Sequence, residues 1–445
     1  MREIVRDHRY KLRVVCVWAL LIFAGLTSVG QTPSPSPTST PLPSPLPLPS
    51  VTPVSTPTPE PVGAATAVDY FIPGLKDGVT AFDNKAFNLR VGFAVLADYA
   101  FFGQDTISRE QVGPQASVFD LRAGRILVMG RIKFKKPWFY VFSADYDEKR
   151  NRGDRVFDIL DLAVTIPLWK KSRITIGKQK EPFIFEMVAV AAFLPHQERL
   201  LNPFFASRNI GIRYTDNYFK DRMSFSVGVY NDWFRSGLKL HESGTQVSGR
   251  VTGLPIYSKD RRTFLHLGLG LRYNGADQGT MRFRARPESN VTDYYADTGN
   301  LAATHATQFA LEAFYNKRSF SVMAEYTRAW VASPSRGNPS FHGSYVTVSY
   351  FLTGDTRAYD KGAANILPIV PKSRWGAVEL VGRVGYVDLD DGFIKGGKLT
   401  TWYAGANWWA NKQWKIGMGY GMADLDRFNV TGRTQRFITR LQWIY

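Results

Sequence analysis

From Phe87 to the end of the chain, apolar and polar residues alternate with a period of two in segments of about ten residues. In 87–99, Phe87, Leu89, Val91, Phe93, Val95, Ala97 and Tyr99 share one face. Asn88, Arg90, Gly92 and Asp98 share the other, which Ala94 and Leu96 make partly apolar. Met223, Phe225, Val227 and Val229 alternate with Ser224, Ser226 and Gly228, and Leu265 to Tyr273 alternates with His266, Gly268, Gly270 and Arg272. The same holds for Phe309 to Tyr315 and for Phe320 to Tyr326. Strands with one apolar face and one small or charged face suit a membrane barrel, lipid outside and lumen inside. A soluble sandwich alternates too, with its apolar face turned into a core.

Three features separate the two. Trp138, Trp169, Trp233, Trp330, Trp402, Trp408, Trp409 and Trp414 fall near expected strand ends, where indole rings favour the headgroup boundary. Long irregular segments near 103–117, 184–207, 276–303, 331–342 and 355–373 are odd for a compact soluble domain and are expected as outer-face loops of a barrel. The last ten residues, RFITRLQWIY, put Phe437, Thr439, Leu441, Trp443 and Tyr445 on one face, against Arg436, Ile438, Arg440, Gln442 and Ile444. A terminal amphipathic strand of this kind offers an assembly machinery an unpaired edge and then closes the barrel. Residues 87–445, at about 22 residues per strand and connection, predict an all-β antiparallel transmembrane barrel of about 16 strands.

What precedes the barrel is different. Arg2, Arg6, Arg9, Lys11 and Arg13 lead into an apolar run from Val14 to Leu26 and then Ser28-Val29-Gly30, the pattern of a secretory signal over residues 1–30. The run is shorter than the roughly 20 residues that a spanning helix needs. Residues 31–62 follow, with 12 prolines, and are expected as a disordered polyproline spacer that could also meet a cell-wall partner. Residues 63–86 are expected as a connector.

Charge adds a functional expectation. The whole chain carries a formal net charge of +18, and residues 87–445 alone hold 49 Lys and Arg against 32 Asp and Glu. A surplus on the folded part must act on something anionic. Nucleic acid is not expected, for an exported chain without RNP-like, zinc-finger or helix-turn-helix signatures. Neither a GxSxG, HExxH or Walker motif nor a paired-cysteine site occurs, so no enzyme, metal or cofactor is expected. His266, His305 and His342 lie in strand segments, but nothing marks a serine partner for a barrel-wall Ser–His pair.

Six motifs in order point to a family: ITIGKQKEPFIFE (174–186), HQERLLNPFFASRNIGIRY (196–214), SGRVTGLPIY (248–257), MRFRARPE (281–288), YVTVSYFLTGDTRAYD (345–360) and WGAVELVGRV (375–384). With the terminal strand, they resemble the phosphate-selective porin O and P family over about Phe87 to Tyr445. The resemblance implies a homotrimer of 16-stranded outer-membrane barrels, facing lipid outside. It implies a constriction where arginines bind phosphate or related small anions, fed by a trail of lysines. Family members carry Leu-Arg-Arg-Ala-Arg on the second strand. Here the stretch is Leu121-Arg122-Ala123-Gly124-Arg125, so Arg122 and Arg125 match and Ala123 replaces the middle arginine. One charge-assisted contact fewer removes roughly 1.5–3 kcal/mol from a bound anion, which favours general anion preference over tight phosphate specificity.

Arg90, Arg208 and Arg213 are similar candidates, and Arg90, Arg122 and Arg383 are read in the inward phase of their strands. Arginine suits this chemistry because its planar guanidinium grips oxyanions in a bidentate way and stays charged. Lys133, with Lys135 and Lys136, and Lys178 with Lys180 are candidate steps of an approach path, although lysines at strand ends also bind lipid phosphates or pair with acids. Glu312, Glu325 and Glu379 share the inward phase and are expected to pair with the arginines. The expected function is passive diffusion of small anions, phosphate first. A porin for a sugar or carboxylate, or a barrel tethering the outer membrane to the cell wall, stands as the alternative.

Overall fold

The computed structural model describes residues 79–146 and 157–445. The expected signal (1–30), the Pro-rich spacer (31–62) and the connector as far as residue 78 lie outside the described residues. Sixteen strands form one closed antiparallel barrel. In chain order they are β1 (Phe87–Gln104), β2 (Val118–Ile132), β3 (Trp138–Tyr146), β4 (Phe157–Pro167), β5 (Arg173–Gln179) and β6 (Asn209–Tyr218). There follow β7 (Met223–Asn231), β8 (Thr245–Tyr257), β9 (Thr263–Gly275), β10 (His305–Lys317) and β11 (Phe320–Ala332). The last five are β12 (Ser340–Phe351), β13 (Ala377–Asp391), β14 (Ile394–Trp409), β15 (Trp414–Arg427) and β16 (Val430–Ile444).

Closure joins β1 to β16, from Ala94↔Ile444 to Gln104↔Thr434. The C-terminal Tyr445 exchanges two backbone hydrogen bonds of 2.8 Å with Phe93. Below that point a short strand, Val79–Asp83, takes over the same edge of β1 with Val79 opposite Val91. Every strand of the barrel therefore has both neighbours, which a chain in lipid requires because no water is there to satisfy an open edge. The alternation in the sequence is what sets the two faces. Leu267, Leu269, Leu271, Val346, Val348, Leu380, Met418 and Tyr420 are exposed on the outside, whereas their inward neighbours are buried. Trp409 departs from the girdle expectation: it stands in the inward phase, buried, with its indole donating to Glu379 at 3.2 Å.

Three long connections fold into the barrel instead of standing on its outer face. Residues 180–208 follow β5, residues 276–304 follow β9, and residues 352–376 follow β12. The last of these corrects a sequence expectation. An even number of strands precedes it, so it leaves from the end where β1 begins and β16 finishes, opposite to the others. There, Lys361 donates to the Lys220 carbonyl and Arg262 to the Gly354 carbonyl, both ties to hairpin turns of that end. Phe183, Phe185, Phe193, Leu200, Leu201 and Phe204 of the first connection, Phe283 and Tyr295 of the second, and Tyr359 and Ile366 of the third form one buried apolar cluster. Small inward residues on the wall make this room. A Cβ at Gly385 would run into Leu200, and one at Gly270 into the Phe183 carbonyl.

A basic constriction as the candidate functional site

The segment 180–208 crosses the lumen and is stapled to the far wall. Its helical turn, Phe185–Val188, aims the free N–H groups of Phe185 and Glu186 at the Glu325 carboxylate on β11, at 2.7 and 2.9 Å. A carboxylate at a helix start satisfies donors that have no partner within the helix. The Tyr345 hydroxyl adds a third donation to Glu325, at 2.5 Å. Further on, backbone carbonyls accept from side chains of the third connection and the wall: Phe193 from Arg357 of the connection at 3.0 Å, then from the wall Leu194 from Lys415 at 3.2 Å, Pro195 from Asn407 at 2.8 Å and Gln197 from Arg440 at 2.6 Å. Glu186 pairs with Arg383 at 2.8 Å, and Arg383 also pairs with Glu288, whose other oxygen accepts from Arg436 at 2.7 Å. Burial and the adjacent Arg383 guanidinium push His196 down to about 4, so the ring is neutral at ordinary pH. Much of the inward charge on β13 to β16 therefore holds the crossing segment in place.

Between that segment and the wall from β1 to β8, a cavity of ≈ 280 Å³ stays open. One water needs only about 10–15 Å³ by this kind of measure, so a small ion can keep part of its hydration there. Nine cationic side chains line it, against Asp145, Asp161 and Glu198. The cations are Arg122 and Arg125 of β2, Arg173 of β5, Lys180 and Arg199 of the crossing segment, Arg208 just before β6, Arg213 of β6, Arg250 of β8 and Arg440 of β16. Acids engage five of these. Glu198 accepts from Arg122 at 2.8 Å and from Arg440 at 2.5 Å, and Arg440 also grips Asp98 with two bonds of 2.7 Å. Arg125 pairs with Asp145 at 2.9 Å, Arg208 with Asp161 at 3.2 Å, and Arg250 with Glu312 at 2.6 Å. Burial would raise the Glu198 carboxyl, but Arg122 and Arg440 outweigh it and hold it at about 2.

Lys180, Arg199 and Arg213 differ from these. Among the described residues they bond only to backbone carbonyls: Lys180 to Val188 and Ala189 at 3.1 and 2.8 Å, Arg199 to Glu186 and Ala189 at 2.5 and 3.0 Å, and Arg213 to Lys180 at 3.2 Å. Burial, then Arg208 and Arg199, push the Lys180 ammonium well below its ordinary range. Three cations thus share one cavity without a carboxylate of their own, the arrangement that would receive an oxyanion in a bidentate or bridging way.

The residues named from sequence separate accordingly. Arg122, Arg125, Lys180, Arg208 and Arg213 line the cavity. Arg122 and Arg125 lie three apart and would face opposite sides of a regular strand. A β-bulge brings both inward: Leu96 pairs with Ala123 and Ala97 with Leu121, so Arg122 is the extra residue. Arg90 stands on β1 near its start, paired across to Met129 and away from the cavity lining. Arg383 points inward but is sealed between Glu186 and Glu288, with no exposure. Lys133 lies at the hairpin between β2 and β3 and pairs with Asp83. Lys178 shares the outward phase of Ile174 and Ile176 and ends on Asp158 at 3.1 Å. The inward glutamates pair differently from expectation: Glu312 with Arg250 and Glu379 with Arg357, while Glu325 takes backbone donors. Arg173, Glu198, Arg199, Arg250 and Arg440 were not singled out. Glu198 and Arg199 sit in the HQERLL stretch, and Arg440 in the terminal strand, whose inward face was legible.

The sequence pattern of the phosphate-selective porin O and P family matches residues 96–445. The chain belongs to that family. Family and closed barrel together point to an outer-membrane channel. A protein of Caulobacter vibrioides without assigned function is 32% identical over 185 residues, 39% of this chain and 37% of that protein. Porin O of Pseudomonas aeruginosa is 23% identical over 215 residues, 41% of this chain and 49% of that one. The chain therefore spans less than half the length of either relative. Among solved structures, the anion-selective porin from Comamonas acidovorans superposes with a TM-score of 0.52 at 10% identity, covering 81% of this chain and 100% of that one. Pseudomonas putida OprB, in its high-pH structure, gives 0.50 at 7% identity over 81% and 94%. At such identities the likeness is one of fold.

Proposed function

We propose that this porin lets small anions cross the outer membrane by passive diffusion, with phosphate as the leading solute, and that it does so as a homotrimer. The observation that carries the reading is the cavity lining, with nine cations against three acids and Lys180, Arg199 and Arg213 unclaimed by any carboxylate. A narrow lumen of one charge sign concentrates counter-ions and repels cations. The names of the relatives agree in kind: one is Porin O, and one solved structure is an anion-selective porin. A sugar porin would need aromatic platforms, and among the described residues that line this cavity only Phe93 and Phe193 are aromatic. In this orientation the end bearing Tyr445 faces the periplasm, and the Pro-rich segment lies there. An impermeant reagent labelling a tag between Pro33 and Pro61 on intact cells would contradict that placement.

Reversal potential in planar bilayers tests the central claim. A potassium chloride gradient should give an anion-selective potential, and added phosphate should reduce chloride current. A cation-selective pore would overturn the reading.

A further inference from the structure

The inference concerns Lys180 and rests on the anion-site reading above. Lys180 shares the cavity lining with charged groups from every neighbouring element. Arg125 comes from β2, Asp145 from β3, Asp161 from β4, Arg173 from β5, Glu198 and Arg199 from the crossing segment, and Arg208 and Arg213 from the chain entering β6. The three carboxylates are already bonded to Arg125, Arg208, Arg122 and Arg440. In the empty cavity the cations therefore outnumber the carboxylates, nine to three. Arginine cannot relieve this, because a guanidinium keeps its proton in any ordinary protein environment. Lysine can.

The hydrogen bonds of Lys180 fit both of its protonation states. The nitrogen donates to two carbonyls, Val188 at 3.1 Å and Ala189 at 2.8 Å. A neutral amine has two N–H donors and satisfies both carbonyls while keeping a lone pair. An ammonium makes the same two bonds and has a third N–H left for a ligand. No rearrangement of the crossing segment is needed to pass from one to the other. We propose that an anion entering the constriction is bound together with a proton on Lys180, taken from water on arrival and returned to water when the anion leaves. The channel would thereby hold a weaker positive field when empty than when occupied. The lowered range of the ammonium in the empty cavity has the required sign.

The linkage fixes the pH dependence. Below the empty-site value Lys180 is already charged, and affinity does not change with pH. Above it each bound anion brings a proton, and affinity falls by up to about tenfold per pH unit until the occupied-site value is reached. The probe should not titrate itself, which rules out phosphate and favours sulfate, a dianion throughout. The measurement is sulfate inhibition of chloride current through the full-length porin in planar bilayers, between about pH 6 and 9. Wild type should bind sulfate progressively more weakly as pH rises. Lys180→Arg, which keeps the charge and cannot discharge, should bind with little pH dependence, and Lys180→Gln weakly at every pH. If wild type and Lys180→Arg show the same flat profile while sulfate still blocks, the proton coupling is wrong and the anion site stands. If sulfate blocks wild type at no pH, the anion-site reading itself fails, and the coupling with it.

Discussion

Glu198→Gln is the most informative single change in this pore. The carboxylate sits on the crossing segment at the cavity wall, clamped by Arg122 at 2.8 Å and Arg440 at 2.5 Å. Replacing it by an amide keeps the shape and removes one negative charge from the cavity lining. Arg440 retains its two bonds to Asp98, so the closing strand β16 stays tied to β1. For an ion passing about 6 Å away, Coulomb's law gives about 0.7 kcal/mol at the dielectric of water and about 3 kcal/mol at an effective value near 20. Even the smaller figure speeds an anion's passage about threefold and slows a cation's by the same factor, so the permeability ratio should rise about tenfold. The assay is the reversal potential of the purified, folded variant in a chloride gradient. An unchanged potential in a porin that still runs as a folded oligomer would show that ions do not pass beside Glu198. The constriction drawn above would then be misplaced.

Other expectations follow from the same contacts. Arg122→Glu sets two carboxylates facing each other across the path and should cut the anion-to-cation ratio, again by reversal potential, while Leu121→Val should leave it alone. Acid should act late: burial is outweighed by Arg383 at Glu186 and by Arg122 at Glu198, holding both carboxyls at about 2 against an ordinary 4.5. Depressed carboxyls stabilise the latch fully above about pH 4.5 and lose it as pH falls toward 2, so in the Lys180→Gln porin, where no amine titrates in the cavity, single-channel conductance should be steady from about pH 7 to 4 and change only below about pH 3. Glu325→Ala leaves the N–H groups of Phe185 and Glu186 without their acceptor, at about 1–3 kcal/mol each, and should lower the unfolding midpoint and make the current noisier. Leu267→Arg puts a cation on the lipid face of β9 and should cost about 2–4 kcal/mol if it lies near the midplane, read from unfolding in lipid vesicles.

The barrel itself was legible in the chain. A period of two, repeated from Phe87 to Tyr445, decides which side chains face lipid, and 359 residues at that spacing leave room for 16 strands. The surplus of Arg and Lys on the polar face was legible for the same reason, since phase alone turns Arg213 and Arg440 inward. What phase cannot show is which inward residues meet water. Arg383 and Arg122 carry the same inward reading, yet one is sealed between two glutamates under the crossing segment and the other lines the cavity. That difference depends on three connections folding back from both ends, and their resting places are set by pairings more than a hundred residues apart, such as Glu325 with the N–H groups of 185 and 186. The bulge at Arg122 is of the same kind. One extra residue in β2 relative to β1 turns a side chain from one face to the other, and only the register of the neighbouring strand, fixed by tertiary pairing, places it. Local alternation determines the walls of this pore; long-range contacts determine where its charge is left free.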